Sequence, residues 1–203
     1  MNQRSYFIPA QACETTYEIK KSRFIARLAY ANSREQAMSL LAQAKQDYPD
    51  ARHHCWAYQI GSPASPSLAA MSDDGEPSGT AGKPILNVIQ HKELGDLMLI
   101  VIRYFGGIKL GAGGLVRAYS RAAQQVFEEV ETREQQFKLD CVIECPFATE
   151  QHIRHWMMNH EGEVLDGRYA SKVFLQCKLP ESELKALQEF LAHQPDCRLS
   201  PDD

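Results

Sequence analysis

No CxxC pair occurs in this chain, although it has six cysteines, at 13, 55, 141, 145, 177 and 197. Zinc ribbons and thioredoxin-type redox centres need that spacing, so neither is expected. Cys141 and Cys145 stand four apart in a strand-like segment, on one face but too far along it for a single bridge. Reduced, mostly buried thiols are the expectation. Long apolar runs are also missing, and Leu97 to Ile102 is far too short to span a bilayer. MNQRSYFIPAQ at the start has no apolar h-region and no small-residue cleavage site, which predicts a cytoplasmic protein without a membrane partner. A strong excess of one charge is absent too, the net being −4, which argues against a strong non-specific nucleic-acid binder.

What is present is an ordinary globular composition, 44% hydrophobic and 24% charged, in 203 residues, enough for one large domain or two small ones. Charge divides unevenly. Residues 1–134 carry 15 Lys/Arg and 14 Asp/Glu, a net of +1, whereas residues 135–203 carry 7 and 12, a net of −5. The polar run EEVETREQQ lies at that change and predicts a boundary between a 1–134 domain and a 135–203 domain.

Periodicity predicts an α/β chain of the two-layer α+β kind. Residues 14–30 read as two short strands around Lys20-Lys21-Ser22-Arg23. Ser33 and Gln36 form a capping box, and Ala37, Leu40, Leu41, Ala44 and Tyr48 recur at helical spacing behind it. His53 to Ile60 is a strand, GSPASPS and SDDGEPSGTAGKP are loops, and Pro84 begins a short helix. Leu97 to Tyr104 is a strand buried on both faces. A glycine-rich turn and a long helix follow, with a stripe of Leu115, Ala118, Tyr119, Ala122, Val126 and Val130. Beyond residue 135 come a strand at Phe137–Cys145, a helix at Phe147–Asn159, strands at Glu163–Arg168 and Ser171–Leu179, a helix at Glu181–His193 and a strand at Cys197–Ser200. That βαββαβ order is ferredoxin-like.

Three constellations carry candidate chemistry. The first runs from Tyr104 and Phe105 through Gly106, Gly107, Lys109, Gly111, Gly113 and Gly114 between a buried strand and a helix start, an anion-ready arrangement. Its spacing is not GxGxxG, so no nicotinamide cofactor is expected. Arg103, Lys109, Arg117 and Arg121 surround it, with no acidic residue between Asp96 and Glu128. Arg117 in the first turn of the helix opposes the helix dipole, which calls for a nearby anion: a phosphate, or the carboxylate of Asp73 or Asp74. The second constellation is Asp73, Asp74 and Glu76, which do not have EF-hand spacing, so no metal is assigned. Next to it Gly79 to Pro84, with Lys83, lacks the hydroxyl residue of a Walker motif. The third holds His53, His54 and Cys55 on a strand. Its neighbours face apart, so a shared metal or a Cys55–His54 nucleophile pair is disfavoured. Either histidine is an acid–base candidate beside the 72–76 carboxylates or a loop hydrogen-bonder. His152, His155 and His160 read as a solvated face.

Taken together, KKSRF at 20–24 (with Arg23), DARHHCWAY at 50–58, SDDGEPSGTAGKP at 72–84 and IRYFGGIKLGAGGLVRAY at 102–119 resemble the IMPACT family in its bacterial YigZ-type form. The resemblance implies an N-terminal left-handed βαβ domain shared with a ribosomal protein, elongation factor G and the GHMP kinases. It also implies a C-terminal domain similar to domain V of elongation factor G. Eukaryotic members regulate translation by binding the ribosome-associated activator of an amino-acid-starvation kinase, a pathway bacteria lack. No catalytic activity comes with the resemblance.

The leading expectation is a translation-associated regulator that contacts the ribosome or structured RNA, with Arg103, Lys109, Arg117 and Arg121 at phosphates and Tyr104, Phe105 and Trp56 stacking on bases. The alternatives are an enzyme acting on a small phosphorylated ligand at the same loop and a module that binds a protein of the translation apparatus.

Overall fold

The computed structural model describes residues 5–200. It divides into two compact units that meet in the chain at Gln135 and Gln136.

In the N-terminal unit a tight hairpin forms one edge of the main sheet. Strands β2 (Cys13–Ile19) and β3 (Ser22–Tyr30) are antiparallel and joined by Lys20 and Lys21, whose φ angles are 47° and 61°. Positive φ at both central positions is what a type I′ turn demands. For non-glycine residues it costs about 1 kcal/mol each. A distant glycine holds the turn. Gly106 packs on it so closely that a Cβ there would lie 2.0 Å from the Lys21 carbonyl carbon, and its N–H donates to Ser22 Oγ at 3.1 Å.

Five strands form the main sheet, in the order β2-β3-β6-β4-β5, with β4 at His53–Ile60, β5 at Leu68–Ser72 and β6 at Leu97–Tyr104. Every neighbouring pair is antiparallel, so β3 and β4 run parallel on either side of β6 and are joined by helix α1 (Arg34–Asp47). Ser33 Oγ accepts the Gln36 N–H, and the Gln36 side chain reaches back to the Asn32 N–H, which starts α1 where the capping box predicted.

One face of the sheet, through Phe24, Leu28, Cys55, Leu99 and Val101, packs on helices α2 (Gly82–Gln90) and α3 (Ala112–Glu129). The other, through Ile25, Tyr58, Met98, Ile100 and Ile102, packs on α1. The unbroken apolar run of β6 is therefore buried from both sides. The α/β class holds, with helices on both faces of this sheet. Two strands lie where the sequence reading assigned none: Leu68–Ser72 forms β5, and the polar run read as a domain boundary supplies β7 (Thr132–Gln135), which pairs with β1 (Tyr6–Pro9).

The C-terminal unit holds β8 (Lys138–Cys145), α4 (Glu150–Asn159), β9 (Glu163–Tyr169), β10 (Val173–Pro180), a 3₁₀ turn at Glu181–Glu183, α5 (Leu184–Ala192) and β11 (Arg198–Ser200). Its antiparallel sheet has the order β11-β8-β10-β9, and both helices pack on one face through Ile153, Met157, Leu187 and Leu191. This is the ferredoxin-like arrangement, in two layers. All six cysteines of the chain are unbridged. Cys141 and Cys177 stand opposite each other on β8 and β10, buried in the core. His160, read from the sequence as solvated, lies 2.6 Å from Glu183 through Nδ1 and stacks on Trp156.

Candidate functional site

The 72–82 segment folds around its own carboxylates. Asp73 Oδ1 accepts the N–H groups of Ala81 and Gly82 at 3.0 and 2.8 Å, and Oδ2 accepts that of Gly79 at 2.8 Å. The Ala81 and Gly82 N–H groups are free amides at the start of α2, so the anion at this helix end belongs to the protein itself. Burial works to raise the Asp73 pKa, but the three N–H groups outweigh it and hold the carboxyl below its ordinary value. Gly82 has no room for a side chain, since a Cβ would lie 2.8 Å from the Ser72 carbonyl.

Asp74 points elsewhere. Its Oδ2 accepts the His54 N–H at 2.7 Å, Oδ1 lies 3.7 Å from Lys45 Nζ, and its carbonyl accepts from His53 Nδ1 at 2.9 Å. Glu76 turns inward: its Oε1 accepts from Arg103 Nη1 at 2.6 Å and from the Tyr119 hydroxyl at 2.8 Å. The three carboxylates thus serve three different partners and do not converge. Arg117, offered Asp73 or Asp74 by the sequence reading, pairs with neither, and among the described residues it has no ion pair.

Two of the candidate residues, Cys55 and His54, are buried. Cys55 Sγ lies 2.9 Å from the Asp73 carbonyl oxygen and 3.3 Å from the Tyr119 hydroxyl oxygen. Burial pushes its pKa up to about 12, so it carries no thiolate at neutral pH. His54 faces α1, away from Cys55, and burial lowers its pKa. His53 lies on the Cys55 side, opposite Arg103 in register.

Arg103 requires the largest correction. The sequence places it among surface cations, but it is only 8% exposed, because Glu76 neutralises it inside the protein. Its guanidinium carbon sits 5.5 Å from the Phe24 ring centre and 5.6 Å from that of Phe105, and its buried Nε–H has no partner among the described residues. Tyr119, read only as part of an apolar stripe, is the residue that sequence reasoning missed. A hydroxyl in such a stripe is the available signal, because a buried tyrosine needs a hydrogen-bond partner.

The glycine loop lies above this pair. Gly106 is required by its contact with Lys21, and Gly107 and Gly111 have φ angles of 85° and 72°. Gly111 begins α3 with no side-chain cap, so the first N–H groups of that helix, at Ala112, Gly113 and Gly114, are open. α3 begins at Ala112, which puts Arg117 in its second turn, one turn beyond the reading from sequence. Lys109, Lys83 and Arg117 are exposed, while Arg121 pairs with Glu128 at 3.3 Å. Arg23 lies over the Tyr104 ring at 4.6 Å. Trp56 stacks on Tyr58 on the α1 face and does not join the loop.

Two hollows meet at Arg103 and Phe105. One, of about 300 Å³, lies between Pro77, Phe105, Leu110 and Leu115, with Glu76, Arg103, Lys109, Gly111 and Ala112. The other, of about 400 Å³, is lined by Asp50, Arg52, His53 and Tyr104 with the same pair.

The motifs that build this end of the sheet are those of a known domain. The Impact N-terminal domain matches residues 20–127, and a domain of unknown function (DUF1949) matches residues 143–193. This chain belongs to the IMPACT family. An IMPACT family member of Haemophilus influenzae is 37% identical over 96% of this chain and 94% of its own length. YigZ of Escherichia coli is 35% identical over 93% of this chain and 92% of its own. A crystal structure described as that of a hypothetical protein is 33% identical, with a TM-score of 0.72 over 98% of both chains. Among the described residues no helix is long and apolar enough to cross a membrane.

Proposed function

We propose that this IMPACT protein regulates translation by contacting ribosomal RNA through the glycine loop and the start of α3. The observation that carries this reading is the contrast between two helix ends. α2 has its N-terminal amides filled by Asp73, whereas the longer α3 has none of its first amides capped by a side chain, beside the exposed cations Lys109 and Arg117. Such an end favours a phosphate. Exposed Phe105, 57% accessible, adds a surface on which a base can stack. An enzyme of small phosphorylated ligands is the weaker reading, because Cys55 is held as a thiol, Asp73 is spent on α2, and Glu76 is spent on Arg103 and Tyr119.

Co-sedimentation with ribosomal subunits across a salt series tests the proposal. Wild type should pellet at low salt, with a log–log salt slope of roughly −0.7 to −0.9 per phosphate contact. Lys109→Glu/Arg117→Glu changes exposed residues only and should flatten that slope by about 2. Binding that ignores salt sinks the reading.

A further inference from the structure

Beyond phosphate contact, we infer that the cavity under Phe105 takes one unstacked nucleobase of a single-stranded RNA segment; this rests on the RNA reading proposed for the glycine loop. Its apolar lining is Phe105, Leu110, Leu115 and Pro77. At about 300 Å³ the space is at the lower end for a small-molecule site, the size of a base with part of its sugar.

An apolar hollow alone would accept any greasy group, but the lining of this one is polar in a particular way. Glu76 receives both its hydrogen bonds on Oε1, leaving Oε2 without a donor among the described residues. Arg103 gives one N–H, from Nη1, and its Nε–H has no acceptor among them, although the side chain is only 9% exposed. A guanidinium has five N–H donors. A carboxylate and a guanidinium set among the apolar side chains of this lining supply an acceptor and donors of the kind that match the edge of a nucleobase, where donors and acceptors alternate in one plane. An aliphatic side chain of a protein partner would leave both groups unpaired. The mouth fits as well. Gly111 and Ala112 bring the uncapped amides of α3 to the rim, and Lys109 lines the same space, so the phosphate of the inserted nucleotide meets positive charge. Phe105 is exposed on a loop whose neighbour Gly107 has φ 85°, and its ring supplies the stacking face.

The test is fluorescence anisotropy with a labelled five-nucleotide RNA and with the same backbone carrying abasic sites, at fixed low salt. Wild type should prefer the base-bearing strand at least roughly ten-fold, the effect of one stacked and hydrogen-bonded base. Phe105→Ala should erase most of that preference while the salt slope of the residual binding stays unchanged. Ala112→Leu, which narrows the rim from an exposed position, should do the same without touching the buried pair. Equal affinity for both strands overturns the pocket and leaves the phosphate contact standing. Absence of binding to either strand overturns both. Loss of ribosome binding in Phe105→Ala, without base preference in wild type, overturns the base pocket and assigns the cavity to a protein side chain instead.

Discussion

Glu76 and Arg103 form a buried ion pair, 2.6 Å between Oε1 and Nη1, with side chains only 3% and 9% exposed. The pair joins the 72–82 loop to the central strand, and the Tyr119 hydroxyl ties both to α3.

Removing one partner of that pair leaves an uncompensated buried charge. Glu76→Ala is expected to destabilise the protein by about 3–5 kcal/mol. Glu76→Leu/Arg103→Met, which removes both charges, should cost clearly less. Tyr119→Phe, which removes one hydrogen bond, should cost about 1–2 kcal/mol. Urea unfolding of the wild type and the three variants checks this, and equal losses for the single and double replacements would mean that charge burial is not what matters.

Two neighbouring glycines should respond differently to alanine. At Gly107 a Cβ meets nothing within 4 Å, so only the positive φ resists, at about 1 kcal/mol. At Gly106 the Cβ would collide with backbone of the Lys20-Lys21 turn, and the loss should reach about 3 kcal/mol. Thermal melts of both variants separate strain from collision.

Asp73 makes stability sensitive to acid. Its folded pKa lies below the unfolded value of 3.8, so its contribution is present above pH 3.8 and is lost as pH falls through the folded pKa. Asp73→Asn should remove about 1–3 kcal/mol at neutral pH, because an amide NH₂ cannot accept where an oxygen did. The same variant should show a shallower fall in stability below pH 3.8.

For Cys55 the sign is reversed. Its pKa rises from 9.0 to about 12, so the folded state keeps a proton that the unfolded state gives up. The stability it confers is complete below pH 9 and is lost as pH rises from 9 towards 12. Alkylation followed by mass spectrometry at about pH 8, just under the ordinary thiol pKa, should label half-buried Cys13 and Cys197 first and Cys55 only on unfolding. Early labelling of Cys55 would contradict its burial.

Sequence by itself determined the elements whose signals are local. The Ser33–Gln36 cap started α1, the apolar run of β6 required cover on both faces, and the glycine loop had to turn. The βαββαβ order after residue 135 was legible because each strand and helix buries one face at its own period. Tertiary structure alone decided which charges are free. Asp73, Asp74 and Glu76 look alike in a row of carboxylates, yet one caps α2, one holds the start of β4, and one enters the core to meet Arg103. β7, polar in sequence, is a strand only because β1 is there to pair with it. Hydrophobic period is written in neighbouring residues. The partner of a charge or of an edge strand lies far along the chain, and only folding brings it within hydrogen-bond reach.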